Sequence, residues 1–357
     1  MKILTFDIGT GTKDVLLYDS ERLLENCIKM VVTSPTIVAA SRIQKSTEDL
    51  YLDGHVVGGG PLTHAVMKHQ NAGRKIVFSE TAALAVKNTP RKMKEIGIVV
   101  GENPGYPTLF LDELQLDVFF NFFDSLNESC ESIEGIGIAV QDHGTASDDE
   151  TDRSFRFDVM LEQLERNPTL DTFVYTPETL PDFFQRMKSA VDYVRERYPE
   201  KKMVLMDTCV AAVRGCLASV PDRGGASLVL NVGNSHSMAA LVRDNKVLGF
   251  FEHHTKMLKK DPQKYVHYLS RLVDGSLTNR EVYDDGGEGC FIFESVGHEN
   301  LSQFLYTGPR RLLLEGLEFP FPCQPTIAVP GGDMMMTGPV GLVDGYATVY
   351  NEKFNIH

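Results

Sequence analysis

The sequence predicts an α/β protein built of two related domains with a cleft between them. Three observations carry the prediction. The chain has 357 residues, enough for two domains or one large one. Ile3 to Thr33 and Ala226 to Phe251 each read as short apolar strands joined by tight turns. Strand–helix alternation accompanies each of these antiparallel meanders, which is the grammar of an α/β domain. The expected boundary lies near residue 200 and divides the chain into 1–200 and 201–357.

The first hairpin is LTFDIGTGTKDVLLYD, residues 4–19. Asp7 ends its first strand, placed to hold a metal-bound water. Gly9 and Gly11 permit positive φ and let backbone N–H groups approach an anion. Thr10 and Thr12 add hydroxyl donors and Lys13 adds a cation. A carboxylate facing a donor-lined turn suits Mg²⁺ plus phosphate. Ordinary turn residues in a plain hairpin are the alternative.

Cys27 to Thr33 reads as a third strand, 36–48 as a helix and His55 to Gly59 as a short buried strand. Pro61 just inside a helix start fits its fixed φ, so Leu62 to Asn71 is predicted helical. Lys75 to Phe78 and Gly97 to Val100 are predicted strands flanking a helix over Glu80 to Lys87. Residues 111–129 read as one long helix, with Phe119, Phe120, Phe122 and Phe123 as core. The strand Ile133 to Val140 runs into Gln141, Asp142 and His143. Ser147 to Asp152 is an acidic run, a solvated loop or a mobile flap. Helices are predicted over Phe157 to Glu165 and Pro181 to Tyr198.

The second half opens with a strand, Lys202 to Met206, and a small-residue helix, Asp207 to Ala218. The meander Ala226 to Asn231, His236 to Arg243 and Lys246 to Phe251 follows. Helices are expected at 261–273, 278–283 and 308–316, with a Gly-rich acidic loop at 284–289. A last strand, Thr326 to Val329, leads into Gly331-Gly332.

A net charge of −14 argues against non-specific nucleic-acid binding and against anionic membrane surfaces. No apolar run reaches the length of a bilayer span. Asp7 interrupts the one candidate signal-peptide run, which makes the cytoplasm the default expectation. Cys27, Cys130, Cys209, Cys216, Cys290 and Cys323 are scattered, with no CxxC pair. That spacing argues against a structural zinc site and an iron–sulfur cluster, and suits buried thiols.

In order, the Asp7 turn, the QDHG strand end, MDTCVAAVRGCLAS, LVLNVGNSHSMAALV and Gly331-Gly332 resemble the sugar kinase, hexokinase, heat-shock ATPase and actin superfamily. The resemblance implies a two-domain actin-like ATPase (ribonuclease H-like) fold with an interdomain cleft. It implies that both hairpins hold phosphates, Gly233, Asn234 and Ser235 from the second side, and that Gly331 and Gly332 receive the adenosine. It implies a carboxylate at the start of the small-residue helix, here Asp207. GIGIAVQDHG resembles the carbohydrate-kinase strand that ends in a Gln and a His near the sugar. GNSHS departs from the Gly/Thr-rich second turn of many relatives, and the tail after Gly332 is short, so the usual C-terminal helices are expected to be compressed. QDHG, GFFEHHT and DDGG more closely resemble a prokaryotic family labelled pyruvate formate-lyase activating enzyme-like. That label implies radical chemistry on a three-cysteine iron–sulfur motif, which the sequence lacks.

The expected activity is a phosphotransferase that uses ATP and Mg²⁺ on a small substrate. Asp7, Thr10, Thr12 and Lys13 would hold metal and phosphates. Asp207 would be general base or only an N-cap. Gln141, Asp142 and His143 would contact substrate or form a polar turn. A nucleotide-driven switch without an acceptor is the alternative, and a binding protein without nucleotide is a third class. His253 and His254 are candidate metal ligands or phosphate contacts. Neighbours on a strand point to opposite faces, so the two cannot easily share one ion. Asp284, Asp285 and Glu288 read as a cation loop or a solvated turn.

Overall fold

The computed structural model describes residues 1–86, 90–145, 152–221, 224–354 and 356, with side chains left aside for 90–92 and 152–154. Most of the acidic run, 147–151, therefore lies outside the described residues.

β1 (Lys2–Ile8), β2 (Thr12–Asp19) and β3 (Ile28–Thr33) form an antiparallel meander. β4 (Leu50–Gly54), β5 (Ile76–Phe78), β6 (Val99–Val100) and β7 (Thr108–Leu111) make a separate parallel sheet of order β6-β5-β4-β7. β8 (Ile133–Val140) and β9 (Lys202–Met206) then join β1 in parallel, completing the order β3-β2-β1-β8-β9.

The second half repeats this plan. β10 (Ala226–Val232), β11 (His236–Arg243) and β12 (Lys246–His254) are the meander. β13 (Gly289–Ile292) adds an edge strand, and β14 (Leu301–Thr307) and β15 (Pro325–Ile327) extend the sheet in parallel. The order is β13-β12-β11-β10-β14-β15. Without β13 the two large sheets share order and strand sense. This duplicated pattern is the two-domain actin-like ATPase fold.

The structure departs from the sequence reading at identifiable places. β4 lies at Leu50–Gly54, ahead of the expected strand at 55–59. Residues 111–129 split into the end of β7, a loop and a helix at Leu116–Ser125. The β4–β7 sheet is an insertion between β3 and β8 with its own core of Leu52, Leu62, Val66 and Phe78. β9 belongs to the first sheet, so that domain's sheet extends to Met206, past the expected boundary. The segment 308–316 holds only a short 3-10 turn at Arg311–Leu314.

A full helix, Thr337–Tyr350, replaces the compressed tail. Its sequence, TGPVGLVDGYATVY, looks broken. Pro339, however, sits in the first turn, where it is tolerated, and the glycines lie at contacts.

Two helices tie the domains together. Thr208–Ala218 leaves the first sheet and packs on the second, where Cys209, Val210 and Val213 join Val229, Met238 and Ala240. Thr337–Tyr350 leaves the second sheet and packs on the first, where Val340, Val343 and Tyr346 join Ile3, Leu16 and Tyr18. They cross backbone to backbone. A Cβ on Gly215 would lie 1.7 Å from the Thr337 carbonyl oxygen, and one on Gly341 would lie 1.9 Å from that of Ala211.

Gly341→Ala forces these helices apart. We expect a loss of about 1–3 kcal/mol in urea denaturation, the usual cost of overpacking. Gly60→Ala, at a helix start with open space around it, is the control and should lose nothing measurable.

Candidate active site

The two meander turns have the same local geometry. Gly9 N–H donates to Thr12 O at 3.0 Å, and Gly233 N–H donates to His236 O at 2.9 Å. The turns also meet across the cleft. Ser235 Oγ donates to Thr10 Oγ1 at 2.9 Å. The Asn234 side-chain nitrogen lies 2.4 Å from where Gly11 would carry a Cβ. Arg310 Nε holds Asn234 Oδ1 at 3.1 Å. The structure thus brings together Gly9, Thr10, Gly11, Gly233, Asn234 and Ser235.

Asp7 lies beneath these turns. β1–β2 register sets it opposite Asp14, so both carboxylates lie on one face of the hairpin. Thr208 Oγ1 donates to Asp7 Oδ1, and Gly338 packs so closely that a Cβ there would overlap Asp7 Oδ2. Asp14 Oδ1 is buried with no hydrogen-bond partner among the described residues. Burial raises the Asp7 carboxyl to about 7 against the opposing Thr208 hydrogen bond, with help from nearby Asp207. Burial, then repulsion from Asp7, raises Asp14 to about 8. Asp7, Thr12, Asp14 and Thr208 line a small cavity of about 70 Å³. Two carboxylates and two hydroxyls, one carboxylate oxygen unpartnered, are the hard-oxygen donor set that Mg²⁺ takes.

Lys13 is not part of this site. Side chains alternate along β2, so Thr12 and Asp14 face the cleft and Lys13 faces the opposite core. Its Nζ donates to Leu114 O at 3.0 Å and Gln115 Oε1 at 2.8 Å, over the rings of Phe6 and Phe119. Burial pushes this amine down to about 8.

A larger cavity, about 340 Å³, opens on the other side of the turns. Its walls come from the first sheet (Gln141, His143), the insertion (Val56, Gly58, Thr63) and the second domain (Ser235, His236). His143 is pushed down to about 4 by burial and by Arg156, and its Nδ1 has no hydrogen-bond partner among the described residues. Asp142 also borders the cavity, but its carboxylate accepts N–H bonds from Gly144, Arg186 and Met187 at 2.9, 2.8 and 3.0 Å. Those bonds anchor the start of the Gln185–Arg197 helix and occupy Asp142 within the protein.

Two arginines that sequence reasoning missed brace this wall. Arg156 donates to Asp207 Oδ2 at 2.8 Å and to Glu252 Oε2 at 2.6 Å. Glu252 Oε1 in turn accepts from Gln141 Nε2 at 3.2 Å. Asp207 caps its helix, with Oδ1 accepting Cys209 N–H at 2.9 Å, so both its oxygens are engaged. Arg186 pairs with Glu113 through two 2.9 Å bonds and donates to Gln141 O at 2.9 Å.

Gly331 and Gly332 have positive φ, but they line neither cavity. Lys29 Nζ donates to Gly331 O at 2.8 Å, which pins this turn to the β2–β3 connection. His253 is buried and its Nε2 lies 3.1 Å from Asp285 Oδ2, which also accepts from Tyr268. His254 takes the opposite face of β12. The missed residues are Asp14, Thr208, Arg156, Arg186, Glu113 and Glu252. Strand alternation around Asp7 was a usable signal for Asp14. Arg156 and Arg186 sit in helices whose local pattern carries no sign of their partners.

The family model described as "Putative pyruvate format-lyase activating enzyme (DUF1786)" matches residues 57–313, and the chain belongs to that family. No curated protein matches it. Among solved structures it is similar to an inorganic polyphosphate/ATP-glucomannokinase from Arthrobacter sp. strain KM. That match has 11% identity, covers 97% of this chain and 99% of the other, and has a TM-score of 0.34. A Bacteroides thetaiotaomicron protein with an actin-like ATPase fold and unknown function matches at 11% identity, 95% of both chains and a TM-score of 0.39. Acetate kinase from Entamoeba histolytica matches at 10% identity, 98% of this chain and 100% of the other, TM-score 0.37. Among the described residues, no helix is long and apolar enough to cross a membrane.

The raised carboxyls of Asp7 and Asp14 make a signed prediction. The folded state holds protons that the unfolded state releases near pH 4, so this pair loses stability as pH rises from about 4 to about 8. Asp14→Asn removes one charge and the repulsion. In chelator-treated protein, its stability relative to the parent should therefore grow across that window. Urea denaturation at several pH values measures it, and a constant difference would refute the assignment.

Proposed function

We propose that this protein is a Mg²⁺-dependent ATP phosphotransferase acting on a small hydroxyl or carboxyl compound. The supporting observation is the pair of like-built glycine turns facing each other directly above Asp7 and Asp14. Backbone N–H groups of such turns bind phosphate, and hard-oxygen carboxylates hold the cation that accompanies it.

The geometry supports the following residue roles. Asp7 and Asp14 would hold Mg²⁺ with the hydroxyls of Thr12 and Thr208. When bound, the ion supplies charge that offsets the phosphates. Thr10 and Gly11 would cradle phosphate from one side, and Gly233, Asn234 and Ser235 from the other. The turns touch at Thr10 and Ser235, so nucleotide entry requires that contact to part. The acceptor would occupy the larger cavity, whose volume of about 340 Å³ suits a small molecule. His143 is neutral at pH 7 and can accept a hydrogen bond from an acceptor hydroxyl there. Arg186 offers positive charge at the same wall. Asp207 can act as base only when an acceptor displaces Arg156 from its Oδ2. Catalysis of this kind is mostly positioning and charge stabilisation.

The closed contact between the turns favours a second reading. A nucleotide that wedges them apart would drive a domain motion without any acceptor. Turnover stimulated by a small acceptor supports the transferase, whereas acceptor-independent hydrolysis supports the switch. Radical activation, suggested by the family's description, does not suit this chain. Its six cysteines fall in or against four separate cores, and an iron–sulfur cluster needs convergent thiolates. Anaerobic reconstitution should give no stoichiometric four-iron cluster by iron and sulfide analysis.

Mg-ATP or Mg-ADP should stabilise the protein. A ligand at a hundredfold excess over its Kd adds about 2.7 kcal/mol, a midpoint rise of several degrees. Asp7→Asn should abolish the Mg²⁺-dependent part of that rise. No shift with any nucleotide at millimolar concentration would refute the nucleotide reading.

A further inference from the structure

Three side chains outside the phosphate turns form a second cluster at the cleft. His236 and His254 are directly paired across β11 and β12, with ring centroids 4.6 Å apart. Glu288 stands beside them just before β13, its backbone N–H fixed to Glu252 O at 2.9 Å. Glu252 and His254 share one face of β12 by strand alternation, while His253 takes the other.

We propose that His236, His254 and Glu288 bind a divalent cation of borderline softness, best matched by Zn²⁺. The donor geometry carries the proposal. His236 Nε2 and His254 Nε2 each lie 3.4 Å from the same Glu288 oxygen, Oε1, and the three donor atoms lie within 4.8 Å of one another. Donor atoms about 2.05 Å from a tetrahedral Zn²⁺ stand about 3.3–3.4 Å apart, so these two separations already match a coordinated ion.

The polar accounting is an independent observation. Glu288 is 2% exposed, yet among the described residues its Oε2 has no hydrogen-bond partner, and neither does the buried His236 Nε2. A buried carboxylate oxygen without a partner is costly, and a cation within the triad meets that need. Two imidazoles and one carboxylate are also a donor set that prefers Zn²⁺ over the Mg²⁺ suited to Asp7 and Asp14.

Three protein ligands leave one position of a tetrahedron open, the arrangement of catalytic rather than structural zinc sites. His236 lines the larger cavity, so the ion stands at its wall. His143 lines the same wall, its ring centroid 6.2 Å from that of His236. The open position is suited to water or to an oxygen atom of a molecule in the cavity. This site does not depend on the nucleotide reading.

The test uses the full chain, stripped with chelator and then titrated with Co²⁺ and Zn²⁺ without nucleotide. We expect one equivalent of Co²⁺ with the intense visible bands of four-coordinate cobalt, displaced by one equivalent of Zn²⁺. His236→Ala and His254→Ala should each weaken Zn²⁺ binding by at least about a hundredfold, the upper end of outer-shell effects. Glu288→Gln keeps the side-chain shape, so it tests the carboxylate should an alanine variant fail to fold; it should lose the four-coordinate spectrum. His267→Ala, an exposed histidine paired with Glu281, should bind like the parent. A six-coordinate spectrum, no binding at a tenfold excess of metal, or unchanged affinity in the His236→Ala, His254→Ala double variant would each overturn the proposal.

Discussion

The backbone contact at Gly215 and Gly341 sets the geometry of the molecule. Each domain gives a helix to the other's sheet, and the two helices cross where neither can carry a side chain. The crossing fixes more than the domain angle. Both helices begin at Asp7: Thr208, the first residue of one, donates to its carboxylate, and Gly338, the second residue of the other, packs against it. Helix N-termini carry partial positive charge, so this convergence offsets part of the cost of burying that carboxylate. A bulkier residue at either crossing point would displace the groups that surround Asp7.

Charge is distributed unevenly around the cleft. Around the larger cavity, carboxylates are matched by arginines. Arg156 joins the end of β9, through Asp207, to β12 of the second domain, through Glu252. Removing one member of such a buried pair typically costs about 3–5 kcal/mol, because the other charge is left unpaired. Arg186 similarly locks Glu113 of the insertion to the strand end at Gln141. Among the described residues, Asp7 and Asp14 form no ion pair with an arginine, and at β11–β12 Glu288 has only histidines at ion-pair distance. The protein thus completes its charge pairs where it needs rigidity. It leaves carboxylates unmatched at the two places whose donor sets suit cations.

The insertion between β3 and β8 changes what the duplicated fold can do. Its residues Val56, Gly58 and Thr63 form one wall of the larger cavity, opposite the second-domain turn. Gly58 packs against the Arg186 guanidinium so closely that a Cβ would lie 2.4 Å from it. The cavity therefore has walls from three separately packed units. A shift of any one of them changes its volume.

The sequence by itself determined what depends on local pattern. Apolar runs with period two and glycine turns marked both meanders, and their repetition marked the duplicated domain. The strand end at Asp7 and the turns at Gly9, Gly11, Gly233 and Ser235 were legible as turns, because turn chemistry is a short-range property. Asp207 was legible as a helix cap for the same reason. Contacts between distant segments were not legible. Lys13 looked like a phosphate ligand, but the facing of its strand sends it to the opposite core. Gly331-Gly332 looked like a ligand turn, but it lines neither cavity, and its first carbonyl accepts from Lys29. The glycines of TGPVGLVDGYATVY take their reason from the crossing at Gly215, more than a hundred residues earlier in the chain. Asp14, Arg156, Arg186 and the pairing of His236 with His254 and Glu288 likewise acquire meaning only from partners that the fold brings near. Residue type and spacing set each segment's local structure. Which buried charges are matched, and which are left unmatched, is decided only when the sheets and the crossed helices close around them.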